Sequence, residues 1–277
     1  MRDPHLTALV DLALAEDLGT GDLTSEALFS PHARGRARLI AREPLVVSGL
    51  GPAELVFTRL DPACRFRAHL AEGARARTGA VLAEVRGPTR VLLAGERTAL
   101  NFVRRLCGIA SLTRRYALAL HGTRCTLLDT RKTTPGMRAL EKAAVRAGGG
   151  HNHRMGLFDG IMIKDNHIAA AGSIARAVAA ARRRAPPTVR IEVECDTLAQ
   201  VDQALRAGAD LIMLDNMTTA QMVAAVRRAA GRALLEASGR LTLARVREVA
   251  LTGVDYLSVG ALTHSAMAAD VAMDLDP

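Results

Sequence analysis

The sequence has no tryptophan, two tyrosines and five phenylalanines in 277 residues. Single-stranded nucleic acid is held by stacking on aromatic faces, and this chain has few to give. It also has no basic tail and no lysine-rich block. Arg182–Arg184 is a short run at an expected helix end, where a solvated face and the helix dipole account for it. The net charge of +9 is spread along the chain. By itself that charge suits either nucleic acid or a small polyanion, and the scarcity of aromatics weighs against nucleic acid. No apolar run approaches the ~18–20 residues of a membrane span. The first residues, MRDPHLTALVDLALAEDLG, carry Asp11, Glu16 and Asp17 within their apolar stretch. They read as an amphipathic helix, not a signal peptide. The four cysteines (Cys64, Cys107, Cys125, Cys195) are far apart with no C-x-x-C pair. A zinc ribbon is thereby excluded, and a reducing, cytoplasmic setting is expected. Lysine is scarce as well: of 37 basic residues only Lys132, Lys142 and Lys164 are not arginine. Where arginine fills nearly every basic role, the remaining lysines are candidates for places that need a compact ammonium.

What is present is ample core material, with 49% apolar and 23% charged residues. The length suits one large domain or two ordinary ones. Residues 5–18 read as a helix. From 36 to about 93, short apolar segments (RARLIARE, LVVSG, CRFRAHL, AVLAEVRG, TRVLLAG) alternate with Gly and Pro. They predict an antiparallel sheet with a helix near 52–60. A mostly buried helix is expected over about 96–121, connecting two domains. From 123 the pattern changes. Strand-like runs at 123–130, 160–166, 189–195, 210–216, 232–238 and 255–261 alternate with helical stretches at about 135–147, 172–184, 197–207, 218–230 and 242–252. Such alternation implies parallel strands with right-handed crossovers. Six strands in this span fit an incomplete TIM-like barrel. A doubly wound sheet is the alternative, weakened because no G-x-G-x-x-G follows the first strand.

In a parallel barrel the chemistry lies at the C-terminal strand ends. Here those ends carry Asp129-Thr130-Arg131-Lys132, Lys164-Asp165-Asn166, Glu194, Asp215-Asn216, Glu236 with Ser238-Gly239, and Gly260. Asp215 or Asn216 could equally cap the next helix, and Asp129 or Asp165 could hold a local turn. Glu192 and Glu194 alternate with valine, so both face one side of their strand. Buried carboxylates need partners, and Lys164 and Arg131 are available. Arg131, Lys132 and Lys164 suit anions, whereas Glu194 and Asp215 suit ribose hydroxyls or hydrated Mg²⁺. Glycine-bearing turns follow the last two strands, the usual phosphate position in such barrels. In GGGHNHR (148–154) the glycines stop a helix, and His153-Arg154 fit anion donors better than a zinc site.

The run DTRKTTPGMRALEKAAVRAGGGHNHRMGLFDGIMIKDNH (129–167) resembles the signature of the quinolinate phosphoribosyltransferase family, the carboxylating nicotinate-nucleotide pyrophosphorylases. EDLGTGDLTSEAL, GERTALNFVRRLCGIAS, IEVECDT, DLIMLDN, LEASG and GVDYLSVGALTHSA fit in order, so the resemblance covers almost the whole chain. It implies an α/β open-faced sandwich at 1–110, joined by 267–277, and an incomplete α/β barrel at 111–266, the type II phosphoribosyltransferase architecture. It implies transfer of phosphoribosyl from phosphoribosyl pyrophosphate (PRPP) to quinolinate with loss of CO₂. Arg131, His153, Arg154 and Lys164 are then expected to hold quinolinate, with Arg97 lent by a neighbouring subunit of a homodimer or larger assembly. Thr130, Lys132, Lys164, Glu194, Asp215, Ser238, Gly239, Arg240, Val259, Gly260 and Ala261 are expected to hold PRPP. Lys132, Lys164, Glu194 and Asp215 are the expected catalytic set, with Mg²⁺ held by Glu194 and Asp215 through water. The family commonly has a small residue where this chain has Arg240. An alternative of the same fold is the paralogue found with molybdenum transport.

Overall fold

The computed structural model describes residues 4–276. In chain order its first elements are α1 (Pro4–Leu18), α2 (Leu23–Leu28), β1 (Arg34–Ala41), β2 (Leu45–Val46), α3 (Leu50–Leu60), β3 (Arg65–Ala68), β4 (Arg75–Ala76), β5 (Val81–Pro88) and α4 (Thr89–Ala119). There follow β6 (Thr126–Leu128), α5 (Arg138–Ala147), β7 (Ile161–Ile163), α6 (Asp165–Ala171), α7 (Ile174–Arg184), β8 (Ile191–Cys195) and α8 (Leu198–Ala207). The last are β9 (Leu211–Asp215), α9 (Thr219–Ala229), β10 (Leu234–Ser238), α10 (Val246–Ala250), β11 (Tyr256–Ser258), α11 (Ala261–His264) and β12 (Val271–Asp276). Two compact units result. One is the described part of Met1–Arg114, Thr134–Gly149 and Ser265–Pro277; the other is Arg115–Thr133 with Gly150–His264.

The first unit is built on an antiparallel sheet in the order β12-β1-β5-β3. Alternation along β1 buries Ala37, Leu39 and Ala41. It turns Arg36 and Arg38 to the other face, where both meet Asp276 of β12 at 2.9 and 3.1 Å. Phe57 of α3 is fully buried and stacks on Phe66 of β3 with ring centroids 6.4 Å apart. A Cβ at Gly95 of α4 would lie 2.9 Å from the Phe57 ring, so only glycine allows this approach of the two helices. TRVLLAG (89–95), expected as a strand, forms the first two turns of α4 instead. A short apolar run does not distinguish strand from buried helix, and Pro88 ends the ladder just before it.

The segment 134–149, which follows the expected split in sequence, packs in the first unit. Glu141 of α5 is fully buried and accepts Arg105 Nη2 of α4 at 2.8 Å. It also accepts the Thr134 hydroxyl at 2.8 Å, which ties the start of the segment to the same carboxylate.

The second unit is a six-stranded parallel sheet, β6-β11-β10-β9-β8-β7, with a single bridge from Leu128 to His151 beyond the β6 edge. This is the incomplete barrel. Capping boxes Thr197–Gln200 and Thr218–Gln221 start α8 and α9 shortly after β8 and β9. Thr218, not Asp215 or Asn216, is therefore the cap of α9. Asp215 stays at the strand end, as does Glu194.

All four cysteines are unpaired and buried. Burial pushes the Cys64 thiol up to about 11 and those of Cys107, Cys125 and Cys195 up to about 12. We expect iodoacetamide at pH 8 to modify none of them in the folded protein and all four after unfolding, as read by mass spectrometry. An unfolded thiol ionises near 9, so these groups cost no stability below that pH. Above it stability should fall, through the range of 11 to 12. No helix among the described residues is long and apolar enough to cross a membrane.

Candidate active site

The C-terminal strand ends surround a cup of about 280 Å³. Its cations come from three places in the chain: Arg131 and Lys132 after β6, Arg154 after the glycine turn, and Lys164 after β7. Glu194 and Asp215 join them from the ends of β8 and β9, and Thr130, His153 and Ser238 complete the set expected from sequence that lines it. The floor includes Met162, Met213, Glu236 and Ser258, none of them among the expected site residues.

The remaining expected residues lie elsewhere. Gly239 and Arg240 line an adjacent pocket of about 190 Å³ with Asn216 and Arg245. Arg240 has φ 47°, a left-handed conformation that costs a residue with a Cβ about 1 kcal/mol or more. Val259 is buried behind the turn after β11. A Cβ on Gly260 would stand 3.0 Å from Lys132 Cδ, so this glycine makes room for the lysine, and Ala261 begins α11. Arg97 is exposed on α4 of the first unit and is not among the residues lining the cup.

Local hydrogen bonds fix the cationic wall. Asp129 is fully buried at the end of β6. Its Oδ1 accepts the His153 backbone N–H at 2.9 Å and its Oδ2 accepts Asn152 Nδ2 at 2.5 Å. Asp129 thus holds the segment before Arg154 beside β6. Arg154 Nη1 donates to the Gly160 carbonyl at 3.0 Å. Burial, helped by the nearby Arg131 charge, pulls the Arg154 pKa below its ordinary value. Two cations held this close suit a dianion.

Lys164 Nζ is ion-paired and hydrogen-bonded to Glu194 Oε2, as the sequence suggested. Glu192 is different: its partner is neither Lys164 nor Arg131 but His153. His153 Nε2 lies 3.2 Å from Glu192 Oε2 and 3.4 Å from Glu236 Oε2. His153 Nδ1 accepts the Arg154 backbone N–H at 2.7 Å. Burial opposes a charge on this ring, but the nearby Glu192 and Glu236 carboxylates outweigh it and push the pKa up to about 10. The acceptor bond at Nδ1 pulls the other way, since an imidazolium has no acceptor. A pKa of about 10 keeps a proton on Nε2, facing the two carboxylates, at neutral pH. Burial pushes the Glu192 carboxyl up, with the Glu236 charge adding to it.

Glu194 and Asp215 offer hard oxygen ligands from adjacent strands, next to cations suited to phosphates. That donor set fits Mg²⁺, which typically takes one or two carboxylates plus substrate oxygens. His153, Glu192 and Glu236 bring ligand atoms within 4.8 Å of one another. With a pKa of about 10, however, the His153 ring holds a proton on the nitrogen that faces the two carboxylates at neutral pH, and a protonated nitrogen is not a metal ligand.

Comparisons with known proteins agree over the full length. Residues 22–107 match the family described as "Quinolinate phosphoribosyl transferase, N-terminal domain" and residues 109–274 match "Quinolinate phosphoribosyl transferase, C-terminal domain". The nicotinate-nucleotide pyrophosphorylase [carboxylating] of Mycobacterium leprae is 45% identical over 95% of this chain and 94% of its own. Quinolinate phosphoribosyltransferase [decarboxylating] 1 of Nicotiana glauca is 39% identical over 98% of this chain and 82% of its own. The crystal structure of NadC from Streptococcus pyogenes superposes with a TM-score of 0.95 at 42% identity, covering 100% of this chain and 98% of that one. With both domain families matched in order and relatives of this identity along nearly all of its length, the chain belongs to the quinolinate phosphoribosyltransferase family.

Proposed function

We infer that the protein joins quinolinate to the phosphoribosyl group of PRPP and releases pyrophosphate and CO₂, leaving nicotinate mononucleotide for NAD synthesis. The observation that carries this reading is the meeting of Arg131, Lys132, Arg154 and Lys164 with Glu194 and Asp215 in one cup. Both reactants are polyanions that repel each other, and a cationic wall offsets that repulsion. Arg131 and Arg154 hold the two carboxylates of the pyridine, while Lys132 and Ser238 take phosphate oxygens. The pair places the ring nitrogen against the anomeric carbon, which is worth several kcal/mol on its own. As the nitrogen–carbon bond forms, the carbon–oxygen bond to pyrophosphate breaks and its electrons leave with pyrophosphate. The ring is then cationic. It takes up the electron pair when the bond to the adjacent carboxylate breaks, CO₂ departs, and a proton replaces it at that carbon. Lys164 stands between the two substrates and neutralises Glu194, so that this carboxylate faces the ribose without repelling the phosphates. Mg²⁺, held by Glu194 and Asp215, would supply charge neutralisation for the pyrophosphate.

The assembly is a homodimer in which Arg97 serves the neighbouring cup, and the setting is cytoplasmic; four unpaired cysteines support the latter. The deciding experiment supplies quinolinate, PRPP and Mg²⁺ and measures CO₂ and mononucleotide together. Nicotinate in place of quinolinate should give no product, and turnover of nicotinate alone would overturn the reading. In the same assay, inactive Arg97→Ala and Arg131→Ala proteins should regain part of the activity when mixed. No recovery after demonstrated subunit exchange would remove the shared site.

A further inference from the structure

Two carboxylates lie beneath the cup that the transfer reaction does not use. Glu236 comes from the middle of β10 and is fully buried; Glu192 comes from β8 and is 4% exposed. Acidic side chains at such depth are costly unless they are bonded. The Oε1 atoms of both, and Glu236 Oε2, are buried without a hydrogen-bond partner among the described residues. Their other oxygens converge on the same atom, His153 Nε2.

The opposite ring nitrogen accepts the backbone N–H of Arg154. Nε2 of His153 thus lies within ion-pair range of two core carboxylates, and Nδ1 is hydrogen-bonded to the chain itself. A ring so held has no N–H to turn to an anion in the cup. What it does is connect two core carboxylates to the backbone of the residue whose guanidinium lines the cup.

Arg154 needs such a hold because a second cavity, of about 490 Å³, shares it as a wall. That cavity is also lined by Asp159, so it offers an arginine an acidic partner away from the substrate.

We propose that Glu192, Glu236 and His153 are positioning residues for Arg154: they act on dicarboxylate binding through the Arg154 backbone and not by touching the substrate. The proposal rests on quinolinate as the ligand of the cup. It departs from the resemblance, which makes His153 a direct contact.

Asparagine and leucine at position 153 separate the two roles. The Asn carbonyl oxygen falls near the place of Nδ1 and can accept the Arg154 N–H, but it cannot reach as Nε2 does. Quinolinate binding is measured by calorimetry on the full chain, and the PRPP KM by turnover. His153→Leu should weaken quinolinate about tenfold or more, with the PRPP KM changed less than about twofold, and His153→Asn, which restores only the acceptor for the Arg154 N–H, should recover part of that loss. Glu236→Leu should weaken quinolinate severalfold alone but add less than about twofold in the His153→Leu background. Glu236→Gln, which keeps volume and fold, serves as the second variant, with the same lack of additivity expected. The proposal is overturned if Asn binds no better than Leu at 153, or if the Glu236 loss multiplies with the His153 loss. Wild-type protein that binds no quinolinate overturns instead the substrate reading beneath it.

Discussion

Replacing Lys164 by alanine should lower kcat/KM by about 10²–10³-fold for quinolinate and for PRPP alike. A preorganised charged donor at a site of developing charge is typically worth that much. Lys164 has a second task that enlarges the effect. It pairs with Glu194, whose side chain is 17% exposed. Without the ammonium, Glu194 would present an unbalanced negative charge to two anionic substrates. The double variant Lys164→Ala/Glu194→Ala should therefore lose less than the product of the single losses. Steady-state kinetics on the two singles and the double decide it. A Lys164→Ala loss below tenfold would remove this lysine from the transfer site.

The largest effect on stability is expected at a residue outside the cup. Glu141→Ala should destabilise the protein by about 3–5 kcal/mol, the usual cost of leaving one half of a buried ion pair alone. Its carboxylate serves Arg105 and both the hydroxyl and the backbone N–H of Thr134, at 2.8 to 3.2 Å. Apolar replacement takes this carboxylate from Arg105, which keeps its bond to the Ala266 carbonyl, and frees the start of the segment at Thr134. A fall in Tm on the order of 10 °C is the expected reading. A Tm within a degree or two of wild type would show that water replaces the carboxylate at little cost.

The sequence carried the parallel barrel because its signal is periodic: apolar strand, polar end, amphipathic helix, repeated. It carried most of the cup for the same reason, since polar residues directly after apolar runs must gather at one end. Lys164 with Glu194 was legible from β8 alternation plus the lysine after the preceding strand. The partner of Glu192 was not. His153 reaches it from a segment beyond the β6 edge, and Glu236 from two strands away, and neither adjacency has a local signature. Glu236 left one sign, a carboxylate inside the apolar run LLEAS, which a strand-end inventory records without giving it a partner. TRVLLAG failed on length, being too short to show a helical period. Gly239 and Arg240 opened a neighbouring pocket because their left-handed turn re-aims the chain after β10.

Placement of 134–149 in the first unit has a consequence for inheritance. The chain enters the barrel unit, leaves it for α5, and returns before β7. No single crossover between related genes can exchange one unit whole. A chimera joined near residue 111 would take Arg105 from one parent and Glu141 from the other. Viable recombinants should therefore be those in which both parents supply that acid and that base.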